Sequence, residues 1–159
     1  TTLMIRDALN ENGMKDCVIR TYDTNTSDLN LKNYISKGEK IEFLSENLFE
    51  RCGTKIKEGS VEPKNFIQRS GRTLVLCDGG GKRFEVPSIS PFLKSGDIIM
   101  AHDYAKDSSY FEEFINNKVW NWHEISDKNI ANCMKNHGLT KIMSKDFDPV
   151  VWVCLEKTH

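Results

Sequence analysis

No apolar run in this 159-residue chain approaches the roughly 18 residues that a membrane-spanning helix needs. The opening TTLMIRDALN carries Arg6 and Asp7 within its apolar part, so this stretch is not expected to be a signal peptide. Charge of one sign is missing as well: 22 Lys and Arg face 23 Asp and Glu, a formal net charge of −1. Nucleic-acid and membrane-surface binders normally show a basic excess or stripe, so neither partner is expected. The five cysteines are an odd number with no C-x-x-C pair. A disulfide frame or zinc site is therefore not indicated, and small buried thiols in a reducing, cytoplasmic compartment are expected instead. Internal repeats and low-complexity segments are also lacking. The chain starts at Thr1 without an initiator methionine, and the expectation is a processed or truncated N-terminus.

The common phosphate and metal signatures are missing too. There is no G-x-x-x-x-G-K-[ST] and no G-x-G-x-x-G. His123-Glu124 has the start of a metalloprotease motif, but position 127 is Asp rather than His. What is present is the length and composition of one domain, with 38% hydrophobic and 28% charged residues. A chain of this size buries roughly two-thirds of its unfolded surface in one core. A single α/β domain over residues 1–159 is expected.

Periodicity divides the chain into alternating elements. Leu3, Met4, Ile5, Ala8 and Leu9 recur at helical spacing, with Gly13 as the stop. CVIRTY is a short β-branched and aromatic strand closed by Asp23. DLNLKNYISKG reads as a short amphipathic helix and KIEFLS as a weaker strand, while SENLFERCG and EPKNFIQRSG are helical or irregular pieces. TLVLC and DIIMA are continuous apolar strands, separated by a short helix in VPSISPFLKSG with proline near its start. SSYFEEFINNKVW reads as a helix capped by Ser108 or Ser109, and DKNIANCMKNHG as one capped by Asp127 and stopped by Gly138. TKIMSKDF and VVWVCLEK close the chain as an antiparallel pair. Strands alternating with helices imply a mostly parallel α/β sheet with a C-terminal antiparallel hairpin, and ligands lying beyond the carboxyl ends of its strands.

Three groups sit at those ends: Tyr22-Asp23, Cys77-Asp78 and Ala101-His102-Asp103. If the strands are parallel, all three face one rim. Asp78, His102 and Asp103 would then offer a hard cation two carboxylates and one imidazole. Equally open from the residues alone is that Asp78 and Asp103 cap the following helices while His102 is a rim histidine. The run Asp78-Gly79-Gly80-Gly81-Lys82 allows backbone N–H groups to turn toward an anion, though a turn permitting close ligand approach is the plainer use. Trp120, Trp122 and Trp152 are expected to pack in the core or at the rim.

The order of elements, with TLVLCDGG and LKSGDIIMAHDY as its most specific phrases, resembles the class I S-adenosylmethionine-dependent methyltransferases. Within them it is most similar to the metal-assisted O-methyltransferases of the macrocin O-methyltransferase and cephalosporin-hydroxylase-like group. The resemblance implies a Rossmann-like methyltransferase sheet, truncated at the N-terminus, since that family's opening strand and glycine-rich loop precede its first helix. The strand so lost would be the central one. It further implies S-adenosylmethionine as cofactor, magnesium as the metal, and a small hydroxylated or sugar-like acceptor. Asp23, Glu46, Asn47 and Asp78 are then the cofactor-binding residues. Asp78, His102 and Asp103 are the metal ligands, with His102 and Asp103 catalytic. The family carries a pair of acids where this chain has His102-Asp103, so His102 as general base is the other role open to it. Tyr104 would line the acceptor pocket or cover the rim.

Two other functions fit the same pattern: a metal-dependent nucleotide-sugar glycosyltransferase, for which an expected D-x-D is missing, and a non-catalytic remnant of the fold serving as an interaction module. The oligomeric state is open, and a homo-oligomer is compatible with the sequence.

Overall fold

The computed structural model describes residues 2–23, 38, 40–49 and 61–159, with the backbone alone for 23, 61 and 62. The helix expected over 28–38 lies outside these residues apart from Gly38, as does most of the second half of SENLFERCG. The chain divides into two compact units, Thr1–Leu48 and Phe49–His159. No described helix is long and apolar enough to cross a membrane.

In the first unit, helix α1 (Thr2–Glu11) forms where apolar residues recur at helical spacing, and Gly13 ends the turn with φ of 72°. Strands β1 (Ile19–Asp23) and β2 (Ile41–Ser45) pair in parallel, from Ile19 opposite Ile41 to Asp23 opposite Ser45. Arg20 and Glu42 form an ion pair across the two strands. Thr2 Oγ1 lies 3.0 Å from Thr21 Oγ1, tying α1 to β1.

The second unit follows the alternation more fully. Helix α2 (Val61–Ile67) leads to β3 (Leu74–Cys77), α3 (Lys82–Ile89) and β4 (Ile98–Ala101). A single helical turn, α4 (Ser108–Tyr110), runs into a wider π-helical turn at Phe111–Ile115. Then come α5 (Asp127–His137), β5 (Leu139–Lys141), the short α6 (Ser144–Phe147) and β6 (Val153–Lys157). The sheet order is β3-β4-β6-β5. TLVLC and DIIMA do form neighbouring parallel strands, with Leu74 opposite Ile98 and Cys77 opposite Ala101. The closing strand β6 runs antiparallel to both β4 and β5, as the pattern required.

The core sits between this sheet and its helices. Ile99, Ala101, Val153 and Leu155 alternate along β4 and β6 and are fully buried, the period-two signature of one inward face. Ile130 and Cys133 of α5 and Val86 and Ile89 of α3 pack into the same cluster. A buried acid pins the amino ends of β3 and β4. Asp97, fully buried, accepts Thr73 N–H at 2.8 Å on one oxygen and Lys94 N–H at 2.8 Å on the other. Lys94 Nζ also lies 2.8 Å from it.

Several sequence expectations need correction. The expected Rossmann-like sheet is not contiguous: the six described strands form two sheets, because neither β1 nor β3 has a second partner strand among the described residues. The fold is mixed α/β, with a parallel pair and a four-stranded mixed sheet. Helix α3 begins at Lys82, directly after the glycines, so Pro87 lies in its second half rather than near its start. Asp107 caps α4, accepting Tyr110 N–H at 2.8 Å, in place of Ser108 or Ser109. Ser126 precedes α5, with its N–H donating to Asn129 Oδ1 at 2.8 Å, so Asp127 is the first helical residue and not the cap.

The Asp97 pin predicts a measurable cost. Asp97→Ala should lower the unfolding free energy in urea by roughly 3 kcal/mol, since it removes charge-assisted bonds and strands the Thr73 N–H. A loss below about 1 kcal/mol would show that the pin is not needed.

Candidate functional site

The register of β3 on β4 builds the site. Cys77 lies opposite Ala101, so Asp78 and His102, the next residue of each strand, leave the sheet at the same level. His102 N–H extends the ladder to Cys77 O at 3.3 Å. The residues expected from the sequence do converge here: His102 Nδ1 lies 3.0 Å from Asp103 Oδ1 and 3.7 Å from Asp78 Oδ1. Asp103 makes this contact from a left-handed backbone, φ 56°, a conformation that a short acidic side chain tolerates better than most. Its carbonyl is held by Glu124 N–H at 2.8 Å and Ile125 N–H at 3.2 Å. Neither Asp78 nor Asp103 caps a helix: α3 starts from Gly81 and α4 from Asp107.

Two residues that sequence reasoning did not assign complete the cluster. Lys82, 5% exposed, places Nζ 2.9 Å from Asp103 Oδ2, 3.3 Å from Glu124 Oε2 and 2.7 Å from Gly79 O. Glu124 also accepts the Lys82 backbone N–H at 2.9 Å. Burial works to lower the Lys82 pKa, but Asp103 and Glu124 together outweigh it and hold the ammonium above its ordinary value. The signal in the sequence was a lysine directly after three glycines. Glu124 carried none, since its partner is 42 residues away.

The glycine run serves a carboxylate of the protein itself. Glu85, buried in the first turn of α3, accepts Gly81 N–H at 3.1 Å. With the Lys82 N–H also taken, these two donors face protein acids and not a bound anion. A Cβ on Gly79 would stand 2.4 Å from Glu85 Oε1, so a side chain at this position requires the Glu85 carboxylate to shift from its place under the turn. Burial pushes the Glu85 carboxyl above its usual value, against the Gly81 and Gly79 N–H groups. Burial first, and Glu85 second, raise the neighbouring Cys77 thiol well above its ordinary value, which leaves it no role as a thiolate nucleophile.

Aromatic rings close around the imidazole. Trp152 lies 4.9 Å from His102 between centroids and Trp120 6.1 Å, edge-on. Trp120, though partly exposed, packs at the rim as expected, whereas Trp122 is exposed. Tyr104, by contrast, is fully buried and donates to Asp127 Oδ1 at 2.8 Å, with Lys141 donating in turn to its hydroxyl. It neither lines a pocket nor covers a rim, and burial followed by Asp127 raises its phenol far above its usual range.

The implied ligands fare differently. For magnesium, both oxygens of Asp103 are already engaged, Oδ1 with His102 Nδ1 and Oδ2 with the Lys82 ammonium. Among the described residues no group of three or more His, Cys, Asp and Glu forms a metal-holding cluster. As arranged, the site does not fit the metal. For the cofactor, the Asp78 carboxylate, 48% exposed, keeps room to accept a hydroxyl or amine donor and fits that role. Asp23 ends β1, with its side chain outside the described residues, and Glu46 and Asn47 are exposed after β2. These three belong to the first unit.

Comparison with known proteins finds no matching family model, no similar curated protein and no similar solved structure. The site must be read from its own geometry.

The Gly79–Glu85 contact generates two predictions. Gly79→Ala should destabilise the fold by roughly 1–3 kcal/mol through overpacking. The cost should shrink in a Glu85→Ala background; equal costs in both would remove the clash as its cause. Because the folded Glu85 pKa lies above its ordinary 4.5, the folded state holds this proton longer than the unfolded chain does. Stability is then lost as pH rises from 4.5 through the folded value. In a pH series of urea titrations, the difference between Glu85→Gln and wild type should move in the variant's favour with rising pH.

Proposed function

We propose that the chain carries the acceptor-activating site of an S-adenosylmethionine-dependent O-methyltransferase, acting on a small hydroxylated or sugar-like acceptor with His102 as general base. The observation that carries this reading is the His102–Asp103 contact at the carboxyl end of an internal strand, beside the half-exposed Asp78. A carboxylate against Nδ1 keeps the ring proton on that nitrogen and leaves the Nε2 lone pair to accept one, the arrangement of a positioned base.

The cofactor would supply a methyl group on a sulfonium, an electrophile that needs only an oxygen nucleophile in line. The chain's share is proton handling. With the methyl group leaving its sulfonium sulfur behind as a thioether, His102 Nε2 would take the proton that the acceptor hydroxyl loses, and Asp103 would balance the imidazolium that results. Asp78 offers a second acceptor for hydroxyl or amine donors at the same rim. Trp120 and Trp152 contact the ring and help to fix its orientation.

The apolar edge of β3, with Leu74 half exposed, favours the interaction-module reading instead. Calorimetry with S-adenosylhomocysteine separates the two, since only the transferase reading expects saturable binding. Given binding, Asp23→Ala should weaken it by roughly 1.5–3 kcal/mol, the value of hydrogen bonds to a charged acceptor. Methyl transfer to a panel of sugars and catechols should fall by about 10²–10⁴-fold in His102→Ala. Retained turnover in that variant would remove His102 as the base.

A further inference from the structure

We infer that Lys82 is the resident cation of this site, standing where a divalent ion would sit, so that the acids at the strand ends act without a metal. The inference deepens the proposed function by replacing the metal that the sequence resemblance implied.

The oxygens around Lys82 Nζ are the donors a hard cation would choose: a carboxylate from Asp103, a carboxylate from Glu124 and the carbonyl of Gly79. An ammonium has three N–H donors, and each finds one of these oxygens. The arrangement is built into the chain at several points. Lys82 is the first residue of α3, directly after the glycine turn that brings the Gly79 carbonyl inward. Glu124 brackets the residue, with Oε2 facing the ammonium and Oε1 accepting the backbone N–H. Glu124 N–H in turn bonds the Asp103 carbonyl, so the same segment fixes both carboxylates.

A metal ion cannot simply be added. At this point it would have to expel a nearly buried ammonium, and beside it the two cations would repel across a poorly solvated gap. Moving the ion toward the rim leaves Asp78 and His102, one carboxylate and one imidazole, with Asp103 already divided between Lys82 and His102. That set offers magnesium one unshared carboxylate and a nitrogen that a hard cation does not favour, so water would have to fill most of its octahedron.

Lys82 is thus a positioning residue. It neutralises the inner oxygen of Asp103 and leaves the outer one, Oδ1, directed at His102 Nδ1.

The test reads metal binding directly, without turnover, so failure of the methyl-transfer reading and failure of this inference are separate results. The full 159-residue chain is titrated with Mn²⁺ while the fluorescence of Trp120 and Trp152 and the broadening of the His102 ring signals are followed. Wild type should show no saturable effect in the millimolar range. Lys82→Ala empties a three-oxygen cradle and removes a positive charge from it, so it should gain saturable Mn²⁺ binding at least about tenfold tighter than wild type. Lys82→Arg should behave as wild type. Saturable binding to wild type overturns the inference, as does a folded Lys82→Ala chain that still binds no Mn²⁺. Should Lys82→Ala not fold, the wild-type titration decides alone: no saturable broadening of His102 supports the inference, and saturable broadening overturns it.

Discussion

A lysine ammonium buried at the start of α3 sets the conditions that its surroundings meet. Taking a charge out of water costs several kcal/mol unless partners with good geometry replace the solvent. Lys82 has such partners only because three separate segments deliver oxygens to it: the glycine turn after β3, the left-handed Asp103 after β4, and Glu124 before α5. Each of those features looks costly by itself. A run of three glycines carries an entropic penalty, and an αL aspartate is strained. Together they complete one electrostatic arrangement, and the residue that faces outward from it is His102.

The sheet explains how such accuracy is reached. Asp78 and His102 emerge from adjacent parallel strands whose register is held at both ends: by the Asp97 bonds to Thr73 and Lys94 at one, and by the continued ladder from His102 to Cys77 at the other. The fully buried faces of β4 and β6 keep that register from slipping, because a one-residue shift would turn Ile99, Ala101, Val153 and Leu155 outward. The catalytic candidates therefore stand at the ends of buried strands whose register is fixed. The exposed Trp120 and Trp122 lie on the segment between α4 and α5.

Glu85 and Tyr104 show how neighbouring residues can serve the fold in place of the chemistry. Glu85 fills the space under Gly79 and takes the Gly81 N–H. Tyr104, two residues beyond His102, turns into the core and ties β4 to α5 and β5 through Asp127 and Lys141. The left-handed backbone of Asp103 between them breaks the strand's alternation, so that His102 stays at the rim while Tyr104 turns into the interior.

Much of the second unit was legible in the sequence. Continuous apolar runs at 73–77 and 97–101 specify buried strands, the acid and histidine following them mark the strand ends, and Gly138 stops α5 with φ of 58°. These are local properties: period, propensity and turn chemistry act over a few residues. The start of α3, the caps at Asp107 and Ser126, and the exposure of Trp122 depended on neighbours and were misread or missed. Whether one sheet or two would form depended on pairing among distant strands. Above all, the presence of two acids at neighbouring strand ends could not say which cation faces them. Lys82 lies close to them in sequence but Glu124 lies far away, and only the packed chain decides that the charge between them is an ammonium of its own.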